Sequence, residues 1–378
     1  MDSRRSTVIP RRKGSKRTLE AQRVLPVFAI VLTVIAAVAC FDLVLVRVAA
    51  RQKAATGVHL YEKGLAAQRV GHGPEALELF RSAYNHTPGN PGYALAFANA
   101  LYSTGHPSEA RAVLSDLLVR RPAYGDANAE MARIIAESGD WQRAAWYYHR
   151  ALYGEWEPSK DLRPLRFELA DLLARHGARE QLMSEVVLLD IDIEREEEID
   201  AGEAKHLGRL QLAAGEDQGA ERLYRLLLQR EPDDVELVVG HARAQMQLGK
   251  YVAAERELRR AASEGFADGS VKRDLELLTR VNAMDPTIRR LEPKEKHRRA
   301  HELTSTLLAV LQSCAPRDPR VLEVSHELAS HQRQGNYFPL AENDLDLFER
   351  MWARRHDICT GKIDLPRPVE LLGAQLTK

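Results

Sequence analysis

A pattern that returns every 34 residues is the feature that most constrains what this chain can fold into. A small residue is followed seven positions later by Gly. Ala comes five positions after that Gly, and a large apolar residue comes four positions after the Ala. In the first two copies these positions are Gly64, Gly71, Ala76 and Phe80, and then Ala98, Gly105, Ala110 and Leu114. Further copies place Ala132, Gly208 and Ala242 at the first position, and a degenerate fourth copy covers residues 163–196.

This spacing predicts two antiparallel helices in each copy. The Gly at the fifteenth position of a copy is suited to end the first helix, because it adopts a left-handed conformation at low cost. The small residues at the eighth and twentieth positions allow the two helices to approach closely. Pro88, Pro122 and Pro232 follow the second helix, where a proline stops it from continuing. We therefore expect a series of helical hairpins.

The pattern resembles the tetratricopeptide repeat (TPR) family. The resemblance implies an all-α solenoid of about six repeats over residues 57–268, with a surface that binds peptides or other proteins. Residues 269–378 show helical periodicity without the repeat, and we expect them to supply the C-terminal capping helices. The tail from Thr360, which contains Pro366 and Pro368, is expected to be irregular or extended.

The segment Val24–Val46 is 23 residues long and carries a single charge, Asp42. As a helix it would extend roughly 35 Å, which exceeds the ~30 Å hydrocarbon core of a bilayer. Eight basic and two acidic residues precede it, a local charge of +6. The sequence thus predicts a basic cytoplasmic tail (1–23), a single transmembrane helix (24–46) and a helical linker (47–56). The following repeats would be periplasmic, on the outer side of a bacterial inner membrane.

Two other interpretations of this segment stay open. Ala37, Val38 and Ala39 form a small-x-small sequence that signal peptidase could cleave, with Cys40 directly after it. The protein would then be an exported lipoprotein or a soluble exported protein. A buried helix of a soluble protein is the second alternative.

Charge and motifs argue against nucleic-acid binding and catalysis. The chain has 54 basic and 54 acidic residues, so the part after the tail is mildly acidic, and a basic nucleic-acid-binding body is excluded. We find no nucleotide, nucleophile-elbow or haem motif, and expect a non-enzymatic protein without cofactor, metal or small-molecule substrate. His326 and His331 are five residues apart, which puts them on different sides of a helix. His297 and His301 have i,i+4 spacing, but their basic helix offers no obvious third ligand.

The resemblance also suggests where a partner would bind. In family members that hold a C-terminal carboxylate, basic and Asn side chains occupy the fifth and ninth positions of successive repeats. Only Asn99 and Arg133 match here, so that clamp is incomplete. Lys205, Arg209 and Arg243 occupy such positions in the fifth and sixth repeats, and an acidic peptide or terminal carboxylate could bridge them. The alternative is a solvated basic face that neighbouring Glu203 or Asp171 partly neutralises.

Cys314 and Cys359 lie at predicted helix ends in the exported region. An oxidising compartment favours a disulfide between them; the alternative is two free thiols. Cys40 lies within the apolar segment.

These observations predict a membrane-anchored TPR scaffold or assembly factor that binds other proteins at the exported face. A permanent structural subunit of a large membrane complex is one alternative. Another is an exported enzyme with accessory repeats, although residues 269–378 hardly suffice for a catalytic domain.

Overall fold

A computed structural model describes residues 16–194, 200–266, 268–331 and 337–377. Its regular elements over those ranges are seventeen α-helices, which fall into two compact units, residues 1–160 and 161–378. Residues 1–15 of the predicted basic tail, and residues 195–199 at and after the end of the fourth repeat, lie outside the described residues. The two units are described separately below.

The first unit consists of three consecutive helical hairpins, in which each helix packs against the next. Its helices are α1 (Lys16–Arg69), α2 (Gly73–His86), α3 (Pro91–Ser103), α4 (Pro107–Arg120), α5 (Gly125–Glu137) and α6 (Trp141–Leu152). The helix α1 is continuous over residues 24–46, over residues 47–56 and over the first helix of the repeats. Its portion Leu32–Arg69 is long and apolar enough to cross a membrane, as judged by length and composition.

The positions that repeat in the sequence have the predicted local structure. Gly71, Gly105, Gly139, Gly215 and Gly249 all follow the first helix of a hairpin with φ between 75° and 89°, which confirms that these glycines end the helices in the left-handed conformation. The alanines that occupy the eighth and twentieth positions of the repeats are buried. The prediction of helical hairpins is therefore confirmed.

The second unit begins with three more hairpins and continues into longer helices. Its helices are α7 (Arg163–Arg175), α8 (Arg179–Glu194), α9 (Ala201–Ala214), α10 (Asp217–Arg230), α11 (Val235–Gln247), α12 (Tyr251–Ser263), α13 (Gly269–Met284), α14 (Pro293–Cys314), α15 (Pro319–His331), α16 (Tyr337–Ile358) and α17 (Arg367–Leu376). The degenerate fourth repeat forms the hairpin α7–α8, with Leu182 buried at the position where a small residue was expected.

The C-terminal helices extend the core of the second unit. The helix α14 packs along α16, and α17 packs against α13, α14 and α16. One apolar cluster runs from Val238 through Leu258 and Phe348 to Leu372. The expectation that the tail from Thr360 is irregular is wrong for α17, whose Val369 and Leu372 are fully buried. Pro368 lies in the first turn of α17, where its missing N–H group breaks no helical hydrogen bond.

Candidate partner-binding surface

Lys205 and Arg209 lie one turn apart on α9, and each contacts an acidic residue at the start of α11. The ammonium of Lys205 donates to the carboxylate of Asp234, and Nη1 of Arg209 donates to Oε1 of Glu236 at 2.6 Å. Asp234 also caps α11 by accepting from the backbone N–H of Leu237. These two basic residues therefore connect the first helices of successive hairpins.

Arg243 repeats this arrangement between α11 and α13. Its Nε donates to Oδ2 of Asp274 at 2.9 Å and its Nη2 donates to Oγ of Ser270 at 2.7 Å. Lys205, Arg209 and Arg243 thus all lie on the first helices of neighbouring hairpins, but each is paired with a carboxylate. The surface is a ladder of ion pairs instead of an unneutralised basic groove.

The predicted source of neutralisation was wrong. Glu203 accepts from Nη1 of Arg163 at 3.1 Å, and Asp171 contacts Nε2 of His206 at 2.7 Å. Both of these contacts join α7 to α9, so they belong to the preceding step of the same ladder. Ion pairs link the helices α7, α9, α11 and α13 in turn.

Contacts within the ladder favour the charged forms of Lys205 and Asp234. The hydrogen bond to Asp234 raises the pKa of Lys205 above its usual value. Burial disfavours the ionised form of Asp234, but the hydrogen bonds from Lys205 and the α11 backbone outweigh it and lower the pKa of this carboxyl. A ligand that competes for Lys205 must therefore displace a favourable partner.

A pocket of about 280 Å³ lies beside this ladder, within the second unit. Arg209, Glu236 and Arg243 supply charged groups at its wall, and Tyr224, Leu212 and Val239 supply apolar surface. Phe266, three residues after the end of α12, also lines the pocket and is 41% exposed. An exposed aromatic ring beside guanidinium groups offers both apolar contact and charge-assisted hydrogen bonds.

Two glycines create the space for Tyr224, which forms part of this pocket. A Cβ atom at Gly208 would lie 2.6 Å from the Tyr224 ring, and one at Gly240 would lie 2.5 Å from it. The tyrosine is therefore held between α9 and α11, and burial raises its pKa to about 12. Tyr224 and Phe266 were not predicted to line a pocket. Gly240, two residues before the small-residue position of the sixth repeat, was the signal in the sequence that a bulky side chain packs there.

The incomplete carboxylate clamp lies in the first unit. Asn99 is half-buried on α3, and Arg133 on α5 donates from Nη1 to Oε1 of Glu130 at 2.5 Å. The five predicted groove residues are thus divided between two units, with two in the first and three in the second. Of the three in the second unit, Arg209 and Arg243 line the pocket.

The two predicted disulfide partners are brought together. The Cα atoms of Cys314, at the end of α14, and Cys359, just after α16, are 5.9 Å apart, and their sulfur atoms are joined. This Cα separation is within the usual range for disulfides. Cys40 is an exposed free thiol on α1.

The expectation that His297 and His301 lack a third potential ligand is wrong. Asp344 on α16 places its Oδ2 atom 3.2 Å from a ring nitrogen of each histidine. This carboxylate comes from a helix far along the chain, outside the repeated pattern.

Comparison with known proteins matches the tetratricopeptide repeat family to residues 70–134 and 207–273. No curated protein shows a significant sequence match to the chain. Among solved structures, a tetratricopeptide repeat protein from Parabacteroides merdae ATCC 43184 is 16% identical, with a TM-score of 0.41, over 59% of this chain and 99% of its own. YrrB, described as a TPR protein with an unusual peptide-binding site, is 15% identical, with a TM-score of 0.42. The match covers 54% of this chain and 97% of YrrB. PilW, described as a widely conserved type IV pilus biogenesis factor, is 14% identical, with a TM-score of 0.41. The match covers 59% of this chain and 98% of PilW.

The family match covers one segment in each unit. It includes α3 and α4 in the first unit and the hairpin α11–α12 in the second. The match supports the interpretation of the 34-residue pattern, and the chain is similar to tetratricopeptide repeat proteins over these two segments.

Proposed function

We propose that this chain is a non-enzymatic, membrane-anchored scaffold or assembly factor that binds a segment of another protein through its second unit. The observation that carries the proposal is the pocket in which Phe266 is exposed beside Arg209 and Arg243. It suits a peptide that inserts one bulky apolar side chain and presents a carboxylate to the rim. Repeats of helical hairpins commonly bind peptides or proteins on such surfaces.

The anchoring part of the proposal is supported by α1. Its apolar stretch is long enough to span a bilayer, and basic residues are concentrated before that stretch. This charge distribution favours a cytoplasmic N-terminus, with the helical hairpins that follow the apolar stretch on the exported side. A Cys314–Cys359 disulfide would be stable in such an oxidising compartment.

Site-specific photo-crosslinking tests the proposed pocket. A photoreactive phenylalanine analogue at Phe266 should give a discrete crosslinked partner in detergent-solubilised native membranes. The same analogue at Val252, an exposed residue of α12 that does not line the pocket, is the matched control. We expect the partner band from position 266 only. Equal bands from both positions, or none from position 266, would contradict binding at the pocket.

A further inference from the structure

Asp344 lies at the centre of a group of three histidines in the C-terminal helices. Its side chain is fully buried, and its Oδ2 atom is 3.2 Å from Nε2 of His297 and 3.2 Å from Nδ1 of His301. The two histidines are one turn apart on α14, so their rings face the same part of α16. The three potential ligand atoms all lie within 4.8 Å of one another.

The carboxylate and the helices that carry these ligands are held in place by further hydrogen bonds. His331 at the end of α15 contacts the other carboxylate oxygen of Asp344, with Nδ1 and Oδ1 2.6 Å apart. The Thr304 hydroxyl donates to the backbone carbonyl of Asp344 at 2.8 Å and so joins α14 to α16. This arrangement matches that of metal sites in which an outer residue orients a ligand.

His297 provides the observation that points to a ligand. Its Nε2 atom is buried, and within the described chain it makes no hydrogen bond, although it faces Oδ2 of Asp344. Two ligands of one tetrahedral zinc ion, each about 2.0–2.1 Å from the metal, are roughly 3.3 Å apart. The separations of 3.2 Å between Asp344 and the two histidines therefore suit a shared ion.

We propose that His297, His301 and Asp344 form a zinc site, with His331 as a positioning residue for Asp344. Two imidazoles and one carboxylate are a donor set that zinc commonly accepts. A cavity of about 400 Å³ lined by His297, His301 and Tyr337 adjoins the group, so a fourth coordination position would be open to water or to a group from outside.

The arginine of α14 that lines the cavity does not prevent cation binding. Arg298, which also lines the cavity, donates to Glu295 at 2.7 Å and to Glu302 at 2.6 Å. Its charge is therefore offset by two carboxylates on the same helix. A bound cation would in turn compensate for the burial of the Asp344 carboxyl group.

Zinc titration of the tag-free full chain in detergent tests this proposal. After removal of metals with a chelator, we expect one zinc ion per chain by equilibrium dialysis and metal analysis. Cobalt in its place should give the visible absorption of a tetrahedral site. The substitutions Asp344→Asn and His301→Gln should each weaken zinc binding at least 100-fold, and His331→Gln should weaken it about 10- to 100-fold.

The controls separate loss of the site from loss of fold. His326→Gln changes an exposed histidine of α15 and should leave zinc affinity unchanged. Circular dichroism reports whether each variant folds, and His301→Gln, which alters the least buried of the three proposed ligands, is the substitution expected to preserve the fold best. Zinc should raise the melting temperature of the wild type and not that of His301→Gln. Absence of stoichiometric zinc in the wild type, or equal affinity in folded His301→Gln, would overturn the proposal.

Discussion

Gly240 lies so close to Tyr224 that a Cβ atom at this position would be 2.5 Å from the tyrosine ring. A Cβ atom at Gly208 would be 2.6 Å from the same ring. The ring is 2% exposed and fills the space between α9 and α11. Its position therefore depends on the absence of side chains at both glycines.

Alanine at both glycines should destabilise the second unit by more than the sum of the single substitutions. Each added methyl group overpacks the site at a cost of about 1–3 kcal/mol, which opposes the ~1 kcal/mol advantage of alanine in a helix. In the double variant the ring has no free side to which it can move. Urea unfolding followed by circular dichroism measures the effect.

Two further variants make this test specific. Gly269→Ala, where the nearest atom to the new Cβ would be 3.5 Å away on a flexible arginine, should change the unfolding free energy by only about 0.5 kcal/mol or less. Tyr224→Leu should recover part of the stability lost in the double alanine variant. Additive effects and no recovery would refute the packing explanation.

Exchange of the charges of Arg209 and Glu236 should separate partner binding from stability. The side chains are 56% and 54% exposed, so their ion pair contributes at most about 1 kcal/mol. The double variant Arg209→Glu/Glu236→Arg keeps opposite charges and should melt like the wild type. If a partner carboxylate contacts Arg209, affinity should fall at least tenfold, and wild-type binding should weaken with salt. Unchanged affinity in the exchanged variant would remove Arg209 from the binding surface.

Removal of the Cys314–Cys359 disulfide should destabilise the second unit. The cysteines are 45 residues apart, and a link of this length removes unfolded-state entropy worth about 4 kcal/mol in the chain-entropy model. Cys314→Ser/Cys359→Ser should therefore unfold at a lower denaturant concentration, and Cys40→Ser should not. Equal thiol labelling of denatured wild type with and without reductant would show that the bond is not formed.

Low pH should remove the contribution that Asp318, directly before α15, makes to the stability of the fold. The side-chain hydrogen bond from Arg320 lowers the pKa of Asp318 from 3.8 to about 2. Because the folded-state pKa is the lower one, the stabilisation is complete above the unfolded-state value and is lost as the pH falls towards 2. Asp318→Asn should lower the melting temperature at neutral pH, and its difference from wild type should shrink between pH 4 and 2. Asp346→Asn, at an exposed position of α16, controls for the change in net charge.

Reporter fusions test the proposed topology. A reporter that is active only after export should be active when fused after Lys378, and one that is active only in the cytoplasm should be active when fused before Arg23. The charge of +6 before the apolar segment is the reason for this expectation. The intact mass of the mature protein separately distinguishes an uncleaved anchor from cleavage before Cys40. Protease access to the C-terminus only from the cytoplasmic side would contradict the topology.

The hairpins could be predicted from the sequence because they depend on local rules. A glycine such as Gly105 ends a helix, and an alanine such as Ala110 permits close packing, wherever the 34-residue spacing places it. The spacing also defines neighbouring first helices, which is why Lys205, Arg209 and Arg243 were correctly placed on successive ones. At these positions the 34-residue sequence pattern alone is enough to predict the helix on which a residue lies.

The ion-pair partners and the histidine group could not be predicted in the same way. Lys205 has several carboxylates nearby, those of Asp234, Glu236 and Glu231, and the capping position of Asp234 decides which one it contacts. Asp344 is 43 residues from His301, in a region without a repeat to provide the register. Pro366 and Pro368 predict irregular structure after Thr360, but a proline in the first turn, such as Pro368 in α17, is compatible with a helix.

The continuity of α1 sets the direction in which the first hairpin faces. The apolar stretch and the helix that packs against α2 share one axis from Lys16 to Arg69. Each inserted residue turns everything after it by about 100° and advances it about 1.5 Å. One extra residue between Arg51 and Gly57 would thus rotate the hairpin by about 100° around the axis of α1. Seven extra residues would restore nearly the original orientation and move the hairpin about 10 Å farther from the apolar stretch. The number of residues between the apolar stretch and the first hairpin therefore determines which way this hairpin faces around the axis of α1.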